Sequence, residues 1–112
     1  MENGIPRKEV KVSDPFYESF EQIYDYSSET FGSIQAERYS QKIRNALDTL
    51  HEGYLVYPEC RHLATKSRKY RNIILDAHLI IYRITNERIE VLDILHGASS
   101  ITKIRRARTI KM

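Results

Sequence analysis

Five side chains of this sequence have the chemistry that cleavage of a phosphodiester bond requires. In RNA, that reaction needs a base for the 2′-hydroxyl, a cation near the phosphate and an acid for the leaving oxygen. Candidates for these roles are Glu59, Arg71, His78, Tyr82 and His96. Each also has an ordinary structural explanation, as a tyrosine in or beside the core, a histidine at a turn or an arginine exposed on a strand. The residue types alone leave both interpretations open.

The spacing of the residues gives other kinds of site little support. Cys60 and His62 lie two positions apart, but no second pair of ligands follows at a spacing that zinc sites use. No glycine-rich loop is available to hold phosphate, because each glycine stands alone at a predicted element boundary: Gly4, Gly32, Gly53 and Gly97. We therefore expect neither a metal ion nor a nucleotide cofactor.

The positive charge of the chain is concentrated at its C-terminus. The formal net charge is +3, yet residues 98–112 contain five basic residues and no acidic ones. The preceding part is slightly negative, which indicates a negatively charged partner for this basic tail. An equally weighted alternative is an amphipathic helix that packs Ile101, Ile104 and Ala107 on the body of the protein. On the first interpretation, truncation after Gly97 would leave the fold intact and weaken action on the target.

The elements that must position these residues include a predicted sheet between Tyr70 and Gly97. Three aliphatic and β-branched runs follow one another here, separated only by short polar segments at residues 76–77 and 85–87. This pattern is typical of a three-stranded antiparallel meander. The alternation of Val10 and Val12 predicts a further short strand over residues 8–12.

Two amphipathic helices are predicted before the meander. The first begins at Asp14-Pro15, with Asp14 as its cap, and runs to about Thr30. The second runs from about Ser33 to Glu52, so the two form an αα-hairpin whose apolar stripes can be buried only on the sheet. The stripe of the first helix contains Phe16, Phe20, Ile23, Tyr24 and, just beyond it, Phe31.

Residues 54–69 form the longest irregular stretch, and long loops of compact domains often carry function. Residues 61–71 contain five Lys or Arg and no acidic residue. This loop, Arg83 and the basic tail could share one side of the sheet, a question that the sequence leaves open.

The length of 112 residues, without an internal repeat or a linker, predicts one domain over residues 1–112, with residues 1–7 as a loose lead-in. No apolar run reaches the roughly 20 residues of a membrane-spanning helix. The N-terminus also lacks the apolar centre of a secretory signal. We therefore expect a cytoplasmic protein.

The order of strand, helical hairpin, basic loop, meander and basic tail resembles the RelE/ParE superfamily of type II toxins. Residues 31–39, FGSIQAERY, resemble the ParE pattern at the junction of the two helices, with Phe31 where tryptophan is usual. Tyr70-Arg71, residues 78–84 and residues 94–97 resemble the superfamily's sheet block. The resemblance implies an α+β fold in which an N-terminal strand and an αα-hairpin join a three-to-four-stranded, mainly antiparallel sheet with a basic C-terminal tail.

Departures from the superfamily pattern indicate the ParE-like branch. RelE-type ribonucleases carry several basic residues across these strands, whereas this chain has Leu79 at the central strand position usually held by arginine. Ala98-Ser99-Ser100 likewise stands in place of a basic cluster. Loss of one such cation costs on the order of 10²-fold in rate. Asp93 is a departure of another kind, since many ParE-like chains have arginine there.

The resemblance thus implies a toxin that inhibits DNA gyrase and is neutralised by a cognate antitoxin lying across the hairpin groove and the sheet. One alternative is a ribosome-dependent mRNA endoribonuclease that uses Arg71 and His96, with His78 or Glu59 assisting. Another is a binding module without toxicity. The residues expected to bind partners are Arg71, Arg83, Lys103, Arg105, Arg106 and Arg108.

Overall fold

The computed structural model describes residues 5–112, so residues 1–4 of the predicted lead-in lie outside the described residues. Four strands and four helices follow in the order β1 (Glu9–Val12), α1 (Asp14–Phe31), α2 (Ser33–Asp48), α3 (Leu50–Gly53), β2 (Tyr70–Ile74), β3 (His78–Ile84), β4 (Arg88–His96) and α4 (Ile101–Arg106). Two short 3₁₀ turns, Arg61–Leu63 and Ala107–Thr109, complete the regular structure. Over these residues, no helix has the length and apolarity needed to cross a bilayer.

The four strands form one sheet in the order β1-β4-β3-β2. Strands β2, β3 and β4 pair antiparallel, which confirms the predicted meander. Strand β1 pairs parallel with β4, with Val10 opposite Ile89 and Val12 opposite Val91. The sheet is therefore mainly antiparallel, and its longest strand, β4, lies in its interior.

A β-bulge in β4 anchors the start of α1. Ile81 lies opposite Asp93 and Tyr82 opposite Val91, so that Leu92 has no residue opposite it in β3. The Ser13 backbone N–H donates to the Val91 carbonyl at 3.0 Å, and Ser13 Oγ donates to the Leu92 carbonyl at 2.5 Å. The same Oγ accepts from the Phe16 N–H, so Ser13 is the N-cap of α1 and not Asp14 as predicted. One serine thus joins the helix start to the irregular point of the sheet.

The predicted αα-hairpin is present, with Gly32 at its junction in a conformation with φ of 92° that favours glycine. Helix α2 ends at Asp48 and not at Glu52. The Thr49 hydroxyl donates to the Ala46 carbonyl at 2.8 Å, so the side chain takes a bond that a continuing helix would use. The single turn α3 follows.

One face of the sheet packs against the hairpin. The buried side chains of this first core come from both helical and strand elements: Phe16, Ile43, Leu50, Tyr54, Ile73, Ile80, Tyr82, Ile89, Val91 and Ile94. Tyr82 is fully buried and donates its hydroxyl to the Tyr54 carbonyl at 2.7 Å. Tyr82 is therefore not a reactive group, although the sequence analysis included it among the candidates, because a substrate cannot reach a buried, hydrogen-bonded hydroxyl. Phe31, predicted on the apolar stripe, is 64% exposed at the end of α1.

The basic tail covers the other face of the sheet. Ile104 and Ala107 are only 5% and 2% exposed, and they pack with Leu63, Ile81 and other buried residues in a second core: Cys60, Tyr70, Leu92 and Leu95. The prediction of an amphipathic helix is therefore correct for Ile104 and Ala107, whereas Ile101 is half exposed. The burial of these residues argues against the expectation that truncation after Gly97 leaves the fold intact, because the truncation would uncover this second core.

We predict that Ile104→Ala lowers the free energy of unfolding by about 2–5 kcal/mol, because it leaves a cavity in the second core. Ile101→Ala on the same helix is the matched control. We expect it to cost less than about 1 kcal/mol, because Ile101 is 48% exposed. Urea denaturation of both variants checks the prediction. Equal losses would contradict the burial of Ile104.

Candidate functional site

A large groove lies at the end of the sheet where β3 begins and β4 ends. It has a volume of about 800 Å³ and runs between the sheet, the C-terminal half of α1 and the start of α2. We call it the hairpin groove. Apolar atoms make up most of its lining surface, although nine of its 16 lining residues are polar or charged: Ser19, Gln22, Ile23, Tyr26, Ser27, Phe31, Gln35, Tyr39, Asp76, Ala77, His78, Asp93, Ile94, Leu95, His96 and Lys103.

Two exposed aromatic rings mark the helical side of the hairpin groove. Tyr26 is 67% exposed and Phe31 64% exposed, and both line the groove. The other large apolar residues of α1 are at least partly buried or, like Tyr17, lie outside the groove. Ile34, 71% exposed at the start of α2, lies just beyond the junction. Clustered exposed apolar side chains next to a groove are typical of surfaces that bind another protein.

Two histidines meet on the strand side of the hairpin groove. Antiparallel pairing places His78 directly opposite His96, with ring centroids 5.6 Å apart and ring planes at 78°. Tyr39 of α2 approaches from above, and its Oη lies 2.7 Å from Nδ1 of His78. His96 Nδ1 accepts the Ala98 N–H at 3.0 Å, which holds the His96 ring at the start of the following turn.

The surroundings of His78 favour its neutral form. Burial lowers the pKa of His78, and the nearby His96 lowers it further. The Tyr39 hydroxyl can then donate to the unprotonated Nδ1 of His78. Burial also raises the pKa of Tyr39, which keeps that hydroxyl protonated. The cluster is thus a neutral, hydrogen-bonded pair beside a second imidazole.

Asp93 of β4 and Lys103 of α4 are two further charged residues of the groove lining. Asp93, at the bulge, accepts from Ser19 Oγ at 2.7 Å and from the Ile94 N–H at 2.8 Å through the same oxygen. Burial raises the pKa of Asp93. The two hydrogen bonds and the charge of Lys103 act in the opposite direction, but burial has the larger effect. The groove therefore combines apolar walls with groups that can take part in directed polar contacts.

The four residues predicted to assist nuclease chemistry do not converge. His78 and His96 lie in the hairpin groove, whereas Glu59 and Arg71 are paired in an isolated antiparallel bridge at the edge of the sheet. Arg71 lies opposite Tyr82, four residues along β3 from His78, so the two pairs are separated by roughly 13 Å along the strand. The structure therefore does not bring the two pairs together at one point.

Arg71 and Glu59 instead organise the basic loop. Arg71 donates through Nη1 to the Tyr57 and Leu55 carbonyls at 2.9 and 3.2 Å, and through Nε to the Arg68 carbonyl at 3.1 Å. Glu59 accepts from the Thr65 N–H at 3.1 Å and lies 3.7 Å from Arg68 Nε. These contacts hold residues 55–68 against the edge strand β2.

Arg83, a predicted partner-binding residue, lies in a largely buried ion pair. Its Nη2 lies 2.7 Å from a carboxylate oxygen of Glu90, and Arg88 pairs with the other oxygen at 2.9 Å. Burial alone would raise the pKa of Glu90, but the hydrogen bonds from Arg83 and Arg88 outweigh it and lower that pKa. Arg83 also donates to the Ile110 carbonyl at 3.1 Å, which ties the end of the chain to the sheet.

The remaining predicted partner-binding residues separate between two surfaces. Lys103 lines the hairpin groove. Arg105 and Arg108 line a second, smaller pocket together with the basic loop, and Arg106 is exposed without lining either. The open question about the basic groups is thus answered, because the loop, Arg83 and the tail do lie on one side of the sheet.

Sequence reasoning missed three contributors to the hairpin groove. Tyr39, Tyr26 and Ser19 are not among the site residues that the sequence predicts. The His78–His96 pair depends on strand register, which a single sequence does not specify. One sequence signal for the groove is the aromatic residue next to Gly32. Phe31 lies at the end of α1 and stays 64% exposed, as a residue that contacts a partner would.

Comparison with known proteins adds independent findings. The family model described as ParE toxin of type II toxin-antitoxin system, parDE, matches residues 10–101. Among curated proteins, none matches the sequence significantly. The fold is similar to a chain of the solved structure described as "Chromosomal ParDE TA system from P. aeruginosa", with a TM-score of 0.67 and 16% sequence identity. The similarity covers 80% of this chain and 96% of that chain, which confirms the predicted α+β fold class.

We predict that His78 makes the fold less stable on acidification. Because the pKa of His78 is lower in the folded protein, the unfolded chain binds a proton first as the pH falls below about 6.5. The free energy of unfolding should therefore fall between about pH 7 and the folded-state pKa of His78. Urea denaturation across this range should find a smaller loss for His78→Gln than for the wild-type protein. Parallel losses would contradict the assignment.

Proposed function

Since the chain belongs to the ParE toxin family of type II toxin-antitoxin systems, we propose that it is the toxin of such a pair, that a cognate antitoxin occupies the hairpin groove, and that its target is DNA gyrase. The observation that carries the toxin assignment is the family match over residues 10–101.

The shape and lining of the hairpin groove favour a peptide over a small molecule. The groove is an open trough with apolar walls, and its helical rim carries Tyr26 and Phe31, both largely exposed. An amphipathic helix places apolar anchors into such a trough at intervals of three and four residues. We therefore assign the groove to a helical antitoxin segment that covers these two rings.

The charges around the hairpin groove indicate the polarity of that segment. Lys103 stands at one side, and Lys42 near the other side is paired with Asp76 at 2.9 Å. Asp76 and Asp93 also line the groove, so Lys103 is the cation that it offers to a partner. A disordered segment that folds on binding would gain apolar burial here, and one of its acidic side chains could pair with Lys103. The similar solved structure is described as a ParDE system, which agrees with a paired partner.

Gyrase is favoured over the ribosome because the nuclease machinery is incomplete. Leu79 stands where RelE-type enzymes usually have an arginine, and the sequence after Gly97 is Ala98-Ser99-Ser100 in place of basic residues. The separation of Glu59 and Arg71 from His78 and His96 points the same way. A gyrase target implies action in the cytoplasm.

The groove assignment predicts unequal effects of two similar substitutions on α1. Tyr26→Glu should weaken binding of the antitoxin at least tenfold, because it places a charge among the apolar contacts of the groove. Tyr17→Glu is the matched control, since Tyr17 is 57% exposed on the same helix but does not line the groove. Titration calorimetry with the cognate antitoxin measures the affinity of each variant.

The same pair of variants defines the contradicting result. If Tyr17→Glu weakens antitoxin binding as much as Tyr26→Glu does, the antitoxin does not use the hairpin groove. Unfolding curves of both variants establish that any loss reflects binding and not a change of fold.

The target assignment predicts that the purified protein inhibits DNA supercoiling by gyrase and leaves mRNA on translating ribosomes intact. Added antitoxin should restore supercoiling, because it sequesters the toxin. The Tyr26→Glu variant should resist this rescue. Cleaved mRNA together with normal supercoiling would overturn the assignment in favour of a ribonuclease, and inactivity in both assays would indicate a binding module without toxicity.

A further inference from the structure

A second surface, on the sheet face opposite the helical hairpin, is strongly basic. Two segments that pack together on this face, residues 61–71 and residues 98–112, each contain five Lys or Arg and no acidic residue. Together they supply ten of the 18 basic residues of the chain. Arg71 is bonded to backbone carbonyls and lies opposite Tyr82 of the first core, and Lys103 lines the hairpin groove, so eight are available to this surface. Helix α4 packs directly on the 3₁₀ turn Arg61–Leu63, so the two segments form one continuous surface.

A pocket of about 300 Å³ lies at the contact between the two segments. We call it the basic pocket. It is lined by three exposed arginines: Arg61 from the loop, and Arg105 and Arg108 from the tail. The rest of the lining is His62, Leu63, Ala64, Thr65 and Tyr70.

The three arginines have no acidic partner within the described part of the chain. None of the carboxylates of residues 5–112 forms an ion pair with Arg61, Arg105 or Arg108. Two acids of the neighbouring strand and loop are already engaged, since Glu90 pairs with Arg83 and Arg88, and Glu59 with Arg68. Like charges brought together in this way repel one another until an anion binds between them.

We propose that the basic pocket binds the phosphate groups of a nucleic-acid backbone. The guanidinium fork matches the oxygens of a phosphate and can donate two parallel hydrogen bonds to it. A repeating chain of phosphates can neutralise the cations that continue beyond the pocket, such as Arg106, Lys66 and Lys69, whereas a single carboxylate would leave most of them unpaired. Both observations favour a polyanion over an isolated acidic side chain.

The recognition is of the backbone and not of the bases. Single-stranded nucleic acids are usually held by exposed aromatic rings on which the bases stack. The one aromatic residue of the basic pocket, Tyr70, is only 7% exposed, and Lys69 and Arg83 lie near its ring. Binding at this pocket is therefore independent of sequence, and it depends steeply on salt because each contacted phosphate releases counterions.

The basic pocket is independent of the hairpin groove. The two share no lining residue, and helix α4 contributes Lys103 to the groove and Arg105 to the pocket. An antitoxin seated in the groove would leave the pocket open. Loss of nucleic-acid binding is thus separable from loss of antitoxin binding, and either result is interpretable without the other.

The test compares two triple variants with the same change of charge. Arg61→Gln, Arg105→Gln and Arg108→Gln together remove the pocket cations, whereas Arg38→Gln, Lys42→Gln and Arg44→Gln remove three exposed cations of α2 on the opposite face. Fluorescence anisotropy of a short labelled duplex DNA, and of a single-stranded RNA of equal length, is measured at rising KCl. Arg61→Gln alone serves as the variant that leaves the tail untouched.

We expect the pocket variant to bind both nucleic acids at least tenfold more weakly and to reduce the steepness of the salt dependence by about two to three units of slope. The α2 variant should stay within about twofold of wild type, and Arg61→Gln should lose part of the affinity. Equal losses in the two triple variants would overturn the proposal. A competition experiment gives a second test. If polyglutamate displaces the DNA at the same concentration of charge as polyphosphate does, the surface binds acidic proteins equally well and the proposal is overturned.

Discussion

The structure depends on one constraint: the central strand β4 is apolar on both faces, so the sheet must be covered twice. Its residues from Ile89 to Leu95 are buried apart from the half-exposed Asp93. Ile89, Val91 and Ile94 belong to the core under the helical hairpin, whereas Leu92 and Leu95 belong to the core under the basic tail. The bulge at Leu92 shifts the alternation of side chains, so that Ile94 lies on the same face as Ile89 and Val91. A strand of this kind is stable only when both layers are present, because each layer removes its own apolar surface from water.

This double cover decides where binding can occur. With both faces of the sheet occupied, two concave surfaces of the described residues stay accessible: the hairpin groove at the end of the sheet and the basic pocket on the outer side of the tail with the adjoining loop. The tail therefore has two roles that the sequence presented as alternatives. Ile104 and Ala107 hold it on the sheet, and Arg105 and Arg108 on its outer side form the basic pocket. Its charge is free for a partner because its apolar side fixes it in place.

The predictable parts of the fold are those that local patterns specify. The β-branched runs between Tyr70 and Ile94 located the meander, and Gly32 located the hairpin junction to the residue. The capping residue was misplaced by one position, because Ser13 and Asp14 can both cap and only the bulge carbonyl distinguishes them. The site was harder to predict: the His78–His96 contact needs the strand register, and the role of Arg83 needs the position of its cross-strand partner Glu90. Tertiary pairing of this kind leaves no periodic signal in a single sequence.

We have proposed that an antitoxin occupies the hairpin groove of this ParE-family toxin and leaves the basic pocket open. Amide hydrogen exchange of the toxin, alone and in complex with a cognate antitoxin, tests this proposal directly. We expect slower exchange in the C-terminal half of α1, the start of α2 and the His78 and His96 ends of their strands, with unchanged exchange at Arg61–Leu63. Protection of Arg61–Leu63 together with an unprotected groove would contradict it.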